Sequence, residues 1–376
     1  MIDKKTKIIV TGGGTGGHVV PLMVVVSELK KHDFDILFVG SGIDLEKKAA
    51  EKENIKYKSV LSGKYRRYFS LENFIDPFKI IIGFLQSFWI ILTSRPKVIF
   101  AKGGYVTYPV VLAGWVLGVP IITHESDIVM GMANKWEAKL ARKVCVGFPL
   151  ENYKDIPLDK IVYTGNPVRK QFNNSAMKPL DDTPSTRFGT SRGRQFDNET
   201  KLPIILVTGG SQGARFINQT IAALLNELTK KYHIIHIAGK NDYQWLSKNR
   251  WPNYELYDFT ENMPELMKKS DLIITRAGAN TLAEISALGK SSILIPLPTS
   301  ANNHQMINAK LYEKNNAAIV LSEKSLSPDN LKSIIDHLVL DKKMLTEIGK
   351  NAKNLSQPNS AEAIIEEIMK TISNKP

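Results

Sequence analysis

The sequence predicts an α/β protein of two doubly wound halves, each a parallel sheet with helices on both faces. Three observations carry this. A β-branched run, Ile8–Val10, stops at a glycine-rich turn and opens into a helical pattern that reaches Leu29. A second apolar run, Leu202–Val207, does the same through Thr208-Gly-Gly-Ser-Gln-Gly-Ala214. Around both turns short apolar runs alternate with helical stretches, the pattern of crossover-linked parallel strands. At 376 residues the chain also exceeds one ordinary core, so two domains are expected.

The first turn contains Gly12-x-Gly14-x-x-Gly17. Glycine admits φ > 0 and close backbone approach, and the helix start that follows offers free N–H groups to an anion. His18 stands at that helix start. A dinucleotide fingerprint would also need an acid at the end of the second strand. Here that strand, Ile36–Val39, ends in Gly40-Ser41-Gly42, and Asp33 and Asp35 precede it. A phosphate or sugar site is the favoured reading, with a purely structural tight turn as the alternative.

Next come a short helix, Asp44–Glu53, and the basic, aromatic stretch Gly63–Phe69. From Pro77 to Leu92 apolar residues cover every helical face. Such a helix is deeply buried or faces lipid. Sixteen residues span about 24 Å, short of a hydrocarbon core of roughly 30 Å, and Lys79 and Gln86 interrupt them. One expectation is a buried crossover helix. The other is a helix whose outer face, with Phe84, Phe88 and Trp89, dips into a bilayer while Lys64, Arg66, Arg67 and Lys79 meet headgroups. Trp115, in the helix Val110–Leu117, would extend that patch. Strands follow at Val98–Ala101, Pro120–Thr123, Val144–Val146 and Ile161–Tyr163. Polar and glycine residues gather at carboxyl ends: Thr11–His18, Gly103–Tyr105, His124–Asp127 and Gly165–Asn166. Ligands of parallel sheets bind at those ends.

Residues 173–200 are polar with no apolar period, which predicts a mobile loop or linker. The second half then supplies strands at His233–Ala238, Glu255–Asp258, Leu272–Thr275, Ser292–Ile295 and Ala317–Val320, followed by a helical tail. The expected division is 1–165, a linker over 166–200, 201–345, and a C-terminal helix over 346–376 that packs back on the first domain.

A net charge of +13 calls for anionic partners: nucleic acid, a membrane surface or phosphorylated substrates. No recognition helix, zinc-ligand spacing or RNA-binding motif supports nucleic acid. The single cysteine, Cys145, excludes an internal disulfide and reads as a buried strand residue. Met1–Lys7 runs straight into the first strand, which predicts no signal peptide and a cytoplasmic protein. The one Asp-x-Asp, Asp33-x-Asp35, lies at the end of a strand remote from the glycine turn, so no metal site and no cofactor are expected.

Seven motifs occur in a familiar order: Gly13-Gly-Thr-Gly-Gly-His18 with Pro21, Gly103-Gly-Tyr105, His124-Glu125, Asn134-Lys-Trp136, Gly165-Asn-Pro-Val-Arg169, Gly209-Gly-Ser-Gln-Gly-Ala214, and Arg276-x-Gly278 with Thr281-x-x-Glu284. Together they strongly resemble the MurG family, from about Lys7 to the last helix, interrupted at 173–200. The resemblance implies a GT-B fold, two Rossmann-like domains facing each other across a cleft. It implies inverting, metal-independent transfer of N-acetylglucosamine from UDP-GlcNAc to undecaprenyl-pyrophosphoryl-muramyl-pentapeptide, converting lipid I to lipid II for peptidoglycan synthesis. It further implies peripheral placement on the cytoplasmic face of the cell membrane, contact with anionic phospholipid, and association with other cell-wall synthesis or division proteins.

Carried over by position, the resemblance assigns donor contacts to Thr15, Gly16, Gly17, Arg169, Ser211, Gln212, Thr260, Ala279, Asn280, Thr281, Glu284 and Gln305. Acceptor contacts fall on Tyr105, His124 and Asn134. For the base, His18 comes first because imidazole titrates near neutrality, Glu125 second and Asp127 third. A purely positional His18 is the competing reading. One departure stands out: the family usually has Gln-Asn after His-Glu, whereas this chain has Ser126-Asp127. The asparagine is a donor-side contact, and an ionised Asp127 cannot donate a hydrogen bond there. Rival readings keep the fold and change the acceptor, as in a UDP-sugar epimerase or a diacylglycerol glycosyltransferase. A non-enzymatic alternative is a membrane-docked sugar-nucleotide-binding subunit.

Overall fold

The computed structural model describes residues 6–63, 72–173, 202–210, 213–248 and 250–373. The basic stretch at 64–70, most of the 173–200 segment, and Ser211 and Gln212 lie outside the described residues. The chain divides into two compact units, Met1–Arg169 with Gln357–Pro376, and Lys170–Ser356.

Unit 1 opens with β1 (Lys7–Thr11), α1 (Gly16–Leu29), β2 (Asp35–Gly40), α2 (Asp44–Lys52), β3 (Lys56–Ser59) and α3 (Glu72–Ser94). It continues through β4 (Val98–Ala101), α4 (Thr107–Val116), β5 (Ile121–Glu125), α5 (Met132–Leu140), β6 (Lys143–Val146) and β7 (Ile161–Tyr163). The seven strands run in the order β3-β2-β1-β4-β5-β6-β7, with every pairing parallel. The middle residues of β1, β2 and β4 are apolar and buried because helices cover both faces. Strand β3 is a difference from the sequence expectation. Its residues, Lys-Tyr-Lys-Ser, are mostly exposed at a sheet edge, where lysines discourage further pairing and no apolar period betrays a strand.

Unit 2 holds α6 (Lys170–Asn173), β8 (Ile204–Thr208), α7 (Arg215–Lys231), β9 (His233–Ile237), α8 (Lys240–Leu246), β10 (Tyr254–Tyr257), α9 (Met263–Lys269) and β11 (Leu272–Thr275). Then come α10 (Ala279–Leu288), β12 (Ser291–Leu294), α11 (His304–Lys314), β13 (Ile319–Val320), α12 (Pro328–Leu340) and α13 (Lys342–Asn354). Its six strands are ordered β10-β9-β8-β11-β12-β13, again all parallel. The last helix, α14 (Ser360–Ser373), belongs to unit 1. Its Ile364, Ile365 and Ile368 enter the cluster formed by Leu22, Val25 and Leu29 of α1 with Ile8, Phe38 and Phe100 of the sheet.

Helix α3 corrects the length read from sequence. It has 23 residues, about 34 Å, because Pro77 lies inside its first turns rather than at its start. The stretch Ile75–Ser94 is long and apolar enough to cross a membrane by length and composition alone. Its inner face nevertheless packs against α4, with Ser87 and Ile91 buried, and a Cβ on Gly83 would lie 1.8 Å from the Leu61 carbonyl. The outer face carries Ile75, Phe78, Ile82, Leu85, Trp89 and Leu92, spaced three and four residues apart, all exposed. Phe84 and Phe88 are half-buried and pack against each other with tilted rings instead, so the exposed apolar set is Phe78, Leu85 and Trp89. Trp115 is exposed on α4.

Because α14 completes the core of unit 1, Ile364→Ala should destabilise that unit by about 2–5 kcal/mol. Hydrogen exchange should then show lost protection in β1 and β2 but not in β8. Uniform loss in both units would contradict this assignment.

Candidate functional site

In unit 1 the strand order reverses between β1 and β4, and crevices form where neighbouring loops leave such a sheet in opposite directions. The loop after β1 leads into α1, whose N-cap Thr15 makes no side-chain capping bond, and no acid occupies the first turn. The positive end of the helix therefore retains its full attraction for an anion. Thr15 and Gly17 are exposed and Gly16 is half-buried.

Gly14, by contrast, donates its N–H to Glu46 Oε1 at 3.0 Å. The same carboxylate accepts from Ser41 N at 2.6 Å, Ser41 Oγ at 2.8 Å, Gly42 N at 3.2 Å and Tyr57 OH at 2.8 Å, and Glu46 is 0% exposed. A Cβ on Gly13 would lie 2.0 Å from Glu46 Oε1, and one on Gly40 2.5 Å from Oε2. Burial and this carboxylate together push the Tyr57 phenol well above its ordinary range. The acid missing from the end of β2 is thus supplied by α2, and it holds the turn rather than a ribose. Sequence reasoning missed Glu46; the signal was an acid in the first turn of a helix directly after Gly40-Ser41-Gly42.

The loop after β4 lies backbone to backbone against this turn. Gly103 and Gly104 have φ of 92° and 101°, and a Cβ on Gly104 would lie 2.4 Å from the Gly13 carbonyl. Gly13 N–H donates to Gly103 O at 3.3 Å. The half-buried Tyr105 ring lies over Gly14, whose added Cβ would meet it at 2.5 Å. His18 hydrogen-bonds the backbone of Lys102, and its buried Nδ1 has no hydrogen-bond partner among the described residues. Burial first, then the Lys102 charge, lowers this imidazole to about 4 against an opposing pull from Asp127, so the ring is neutral at pH 7.

After β5 the expected substrate residues turn inward. Glu125 Oε1 accepts from Asp127 N–H at 2.9 Å, and Oε2 accepts from Gly131 N–H at 2.9 Å and Asn134 Nδ2 at 2.8 Å. Desolvation raises its carboxyl above the ordinary value. With both oxygens committed, Glu125 organises the β5–α5 turn and is poorly placed as a base. Asn134 is taken up by that bond. His124 is 1% exposed, with Nε2 2.9 Å from the Gly165 carbonyl. In the described structure His124 and Asn134, expected from the resemblance as acceptor contacts, make bonds that brace strand ends. Asp127 is half-buried, and its carbonyl accepts from Tyr153 OH at 2.9 Å.

Unit 2 repeats the reversal between β8 and β11. Gly209 is so close to Ala214 that an added Cβ would lie 2.2 Å from the Ala214 nitrogen. Helix α10 follows Gly278 as its N-cap, without a capping side chain or an acid in its first turn. Ala279 is buried there, and Asn280, Thr281 and Glu284 are half-buried. Arg276 is tied down by Glu323 and by the Ile295 carbonyl at 3.0 Å. Thr260 Oγ1 accepts from Asn262 N–H at 3.0 Å, and Gln305 Oε1 accepts from Leu297 N–H at 2.9 Å. Arg169, half-buried, closes the continuous part of unit 1.

Comparison with known proteins follows these two units. Residues 8–146 match the glycosyltransferase family 28 N-terminal domain and residues 204–368 its C-terminal domain. A UDP-N-acetylglucosamine--N-acetylmuramyl-(pentapeptide) pyrophosphoryl-undecaprenol N-acetylglucosamine transferase of Clostridium kluyveri is 41% identical, over 92% of this chain and 94% of its own. A protein of the same name from Clostridium tetani is 38% identical over 99% of both chains. Among solved structures, MurG of Acinetobacter baumannii aligns with a TM-score of 0.73 at 24% identity, covering 98% of this chain and 100% of that one. The calicheamicin glycosyltransferase CalG4 aligns at 0.67 and 14% identity, covering 98% and 99%. At those identities the structures speak for the fold, GT-B.

If Glu46 is the anchor of the first glycine turn, Glu46→Ala should cost about 2–4 kcal/mol and speed amide exchange at Gly14, Ser41 and Gly42. Unchanged protection at those amides would show that the turn holds itself.

Proposed function

The chain belongs to the MurG family of glycosyltransferases, and from that premise we propose which of its residues perform the transfer. The enzyme moves N-acetylglucosamine from UDP-GlcNAc to lipid I, forming lipid II. The reading of its mechanism is a single inverting displacement, in which the muramyl 4-hydroxyl attacks the anomeric carbon as UDP leaves. Such a step needs a base for the hydroxyl proton and a sink for diphosphate charge.

The observation that carries the base assignment is His18, uncharged at neutral pH, at the first turn of α1 beside the β1–β4 reversal. Asp127 is the carboxylate that favours the imidazolium once the proton arrives. Glu125 is read as the brace of the turn that presents Asp127. Tyr105, half-exposed on the glycine turn, is read as the acceptor contact of this group. For the sink, unit 2 offers phosphate oxygens the uncapped N-terminus of α10, with Ala279, Asn280 and Thr281; within unit 1 the uncapped N-terminus of α1, with Thr15, Gly16 and Gly17, and the Arg169 guanidinium are read as suiting an anion in their own right. Ser211 and Gln212 keep the same reading from sequence. Glu284, a turn further into α10, can accept from ribose hydroxyls. Gln305 has its oxygen engaged, which leaves its amide nitrogen to donate to a sugar hydroxyl. The Thr260 hydroxyl is engaged in its own turn, leaving backbone groups for a base edge.

Lipid I is fixed in the bilayer, so the enzyme must meet the membrane. The exposed face of α3, with Trp115, is read as the surface that enters the interface, and the basic charge favours anionic lipid. The inner face of α3 is committed to α4, so the helix lies on the membrane as a peripheral element.

His18→Ala should lower kcat about 10²–10⁴-fold while the KM for UDP-GlcNAc changes little. A rise in KM alone would make His18 a binding residue. Replacing Phe78, Leu85 and Trp89 together by serine should abolish cosedimentation with anionic vesicles at unchanged Tm, since all three are exposed. Retained vesicle binding would move the membrane contact elsewhere.

A further inference from the structure

One buried cation has so far entered only as a charge that lowers the His18 imidazole. Lys102, the first residue after β4, is 1% exposed. Lysine is almost never fully buried unless paired, because removing water from an ammonium is costly. Its Nζ donates to Ser126 Oγ at 2.5 Å. The anionic groups it feels are Glu125 and Asp127 of the β5–α5 turn, with the Cys145 thiol of β6 behind it. Ser126 is held from its other side by Asn166, whose Nδ2 donates to the Ser126 carbonyl at 2.9 Å. Asn166 is in turn fixed by Ser360 at the start of α14, through a 2.8 Å bond to its carbonyl.

We propose that Lys102 is a positioning residue for the transfer: its buried ammonium, seated on Ser126, is the counter-charge to Glu125 and Asp127 and fixes their turn beside His18. Two carboxylates two residues apart, one buried and one half-buried, repel, and the Asp127 N–H bond to Glu125 holds them close. A cation fixed on the intervening Ser126 lies near both charges and offsets them. Burial pulls the ammonium down to about 8 and the carboxylates oppose that, which leaves it charged at neutral pH. The groups around it are His18 on α1, His124, Glu125 and Asp127 on β5 and its turn, Cys145 on β6, and Glu137 on α5 behind Glu125. Lys102 and Asp127 act on the His18 ring in opposite senses. The inference rests on the reading of His18 as the base, but part of its test does not.

The test compares Lys102→Met, which keeps length and removes charge, with Asp127→Asn and the double variant in the full-length enzyme. In NMR titrations of the His18 ring, Lys102→Met should raise the midpoint by roughly one pH unit, and Asp127→Asn should lower it. In kinetics, Lys102→Met should lower kcat roughly tenfold with the UDP-GlcNAc KM unchanged, and move the acidic limb of the kcat profile upward. Adding Asp127→Asn should recover the stability lost in Lys102→Met and cost no further independent factor in kcat, because the charge that Lys102 offsets is then already gone. If Lys102→Met unfolds the chain, the double variant should restore folding. Multiplicative losses, an unmoved His18 titration, or a double variant no more stable than Lys102→Met would overturn the proposal. A His18→Ala enzyme of normal kcat would sink the base assignment, whereas the ring titrations would still decide the role of Lys102 independently.

Discussion

Each half of this enzyme depends on one parallel pairing at the centre of its sheet. In unit 1, Thr11 of β1 pairs with Val39 on one side and Ala101 on the other; in unit 2, Thr208 of β8 pairs with Ile237 and Thr275. The chain leaves each central strand to one side and later returns to the other. Loops on either side of that pairing must diverge, and crossover handedness forbids a rearrangement that would close the gap. Both glycine turns, His18, Lys102 and the start of α10 are consequences of this topology. At the first reversal the two loops are also held backbone to backbone, which is why Gly104 tolerates no side chain, while Gly13 is crowded by Glu46 and Gly103 by Asn134.

A second theme is the use of buried carboxylates as braces. Glu46 gathers the amides of Gly14, Ser41 and Gly42, and Glu125 gathers those of Asp127 and Gly131. In unit 2 Asp242, 4% exposed, accepts from Asn218 Nδ2 at 2.8 Å, Trp245 Nε1 at 2.9 Å and Arg215 Nη1 at 3.0 Å. Each acid holds a strand-end segment or the helix that follows it. Burying an acid without such partners would cost several kcal/mol, so the loops around it are ordered before any ligand arrives. Preorganised loops of this kind suit a reaction whose catalysis is mainly positioning and charge stabilisation.

The sequence pattern located nearly every central strand and both glycine turns, because alternation and glycine clustering are local properties. It missed β3, a polar edge strand whose only strand-like property is its partner. For α3 it left two readings open, since an all-round apolar helix does not reveal which face its neighbour covers. Packing against α4 chose the face, and moved the exposed set from Phe84 and Phe88 to Phe78 and Leu85. At the site, motif order picked out His18, Glu125 and Asp127 but could not tell a ligand from a brace. The hydrogen bonds of Glu125, Asn134 and His124 are what the structure adds, bonds that brace the ends of the strands.

The sequence by itself determined two doubly wound α/β halves, the places where helix N-termini open from glycine turns, and the family. Those follow from periodicity and from what glycine allows. Only the tertiary structure decided which charges are buried and what they hold. Glu46 meets Gly14 across 32 residues and Lys102 meets Ser126 across 24. Separations of that size are closed by sheet pairing and crossover packing, and no local residue pattern encodes them.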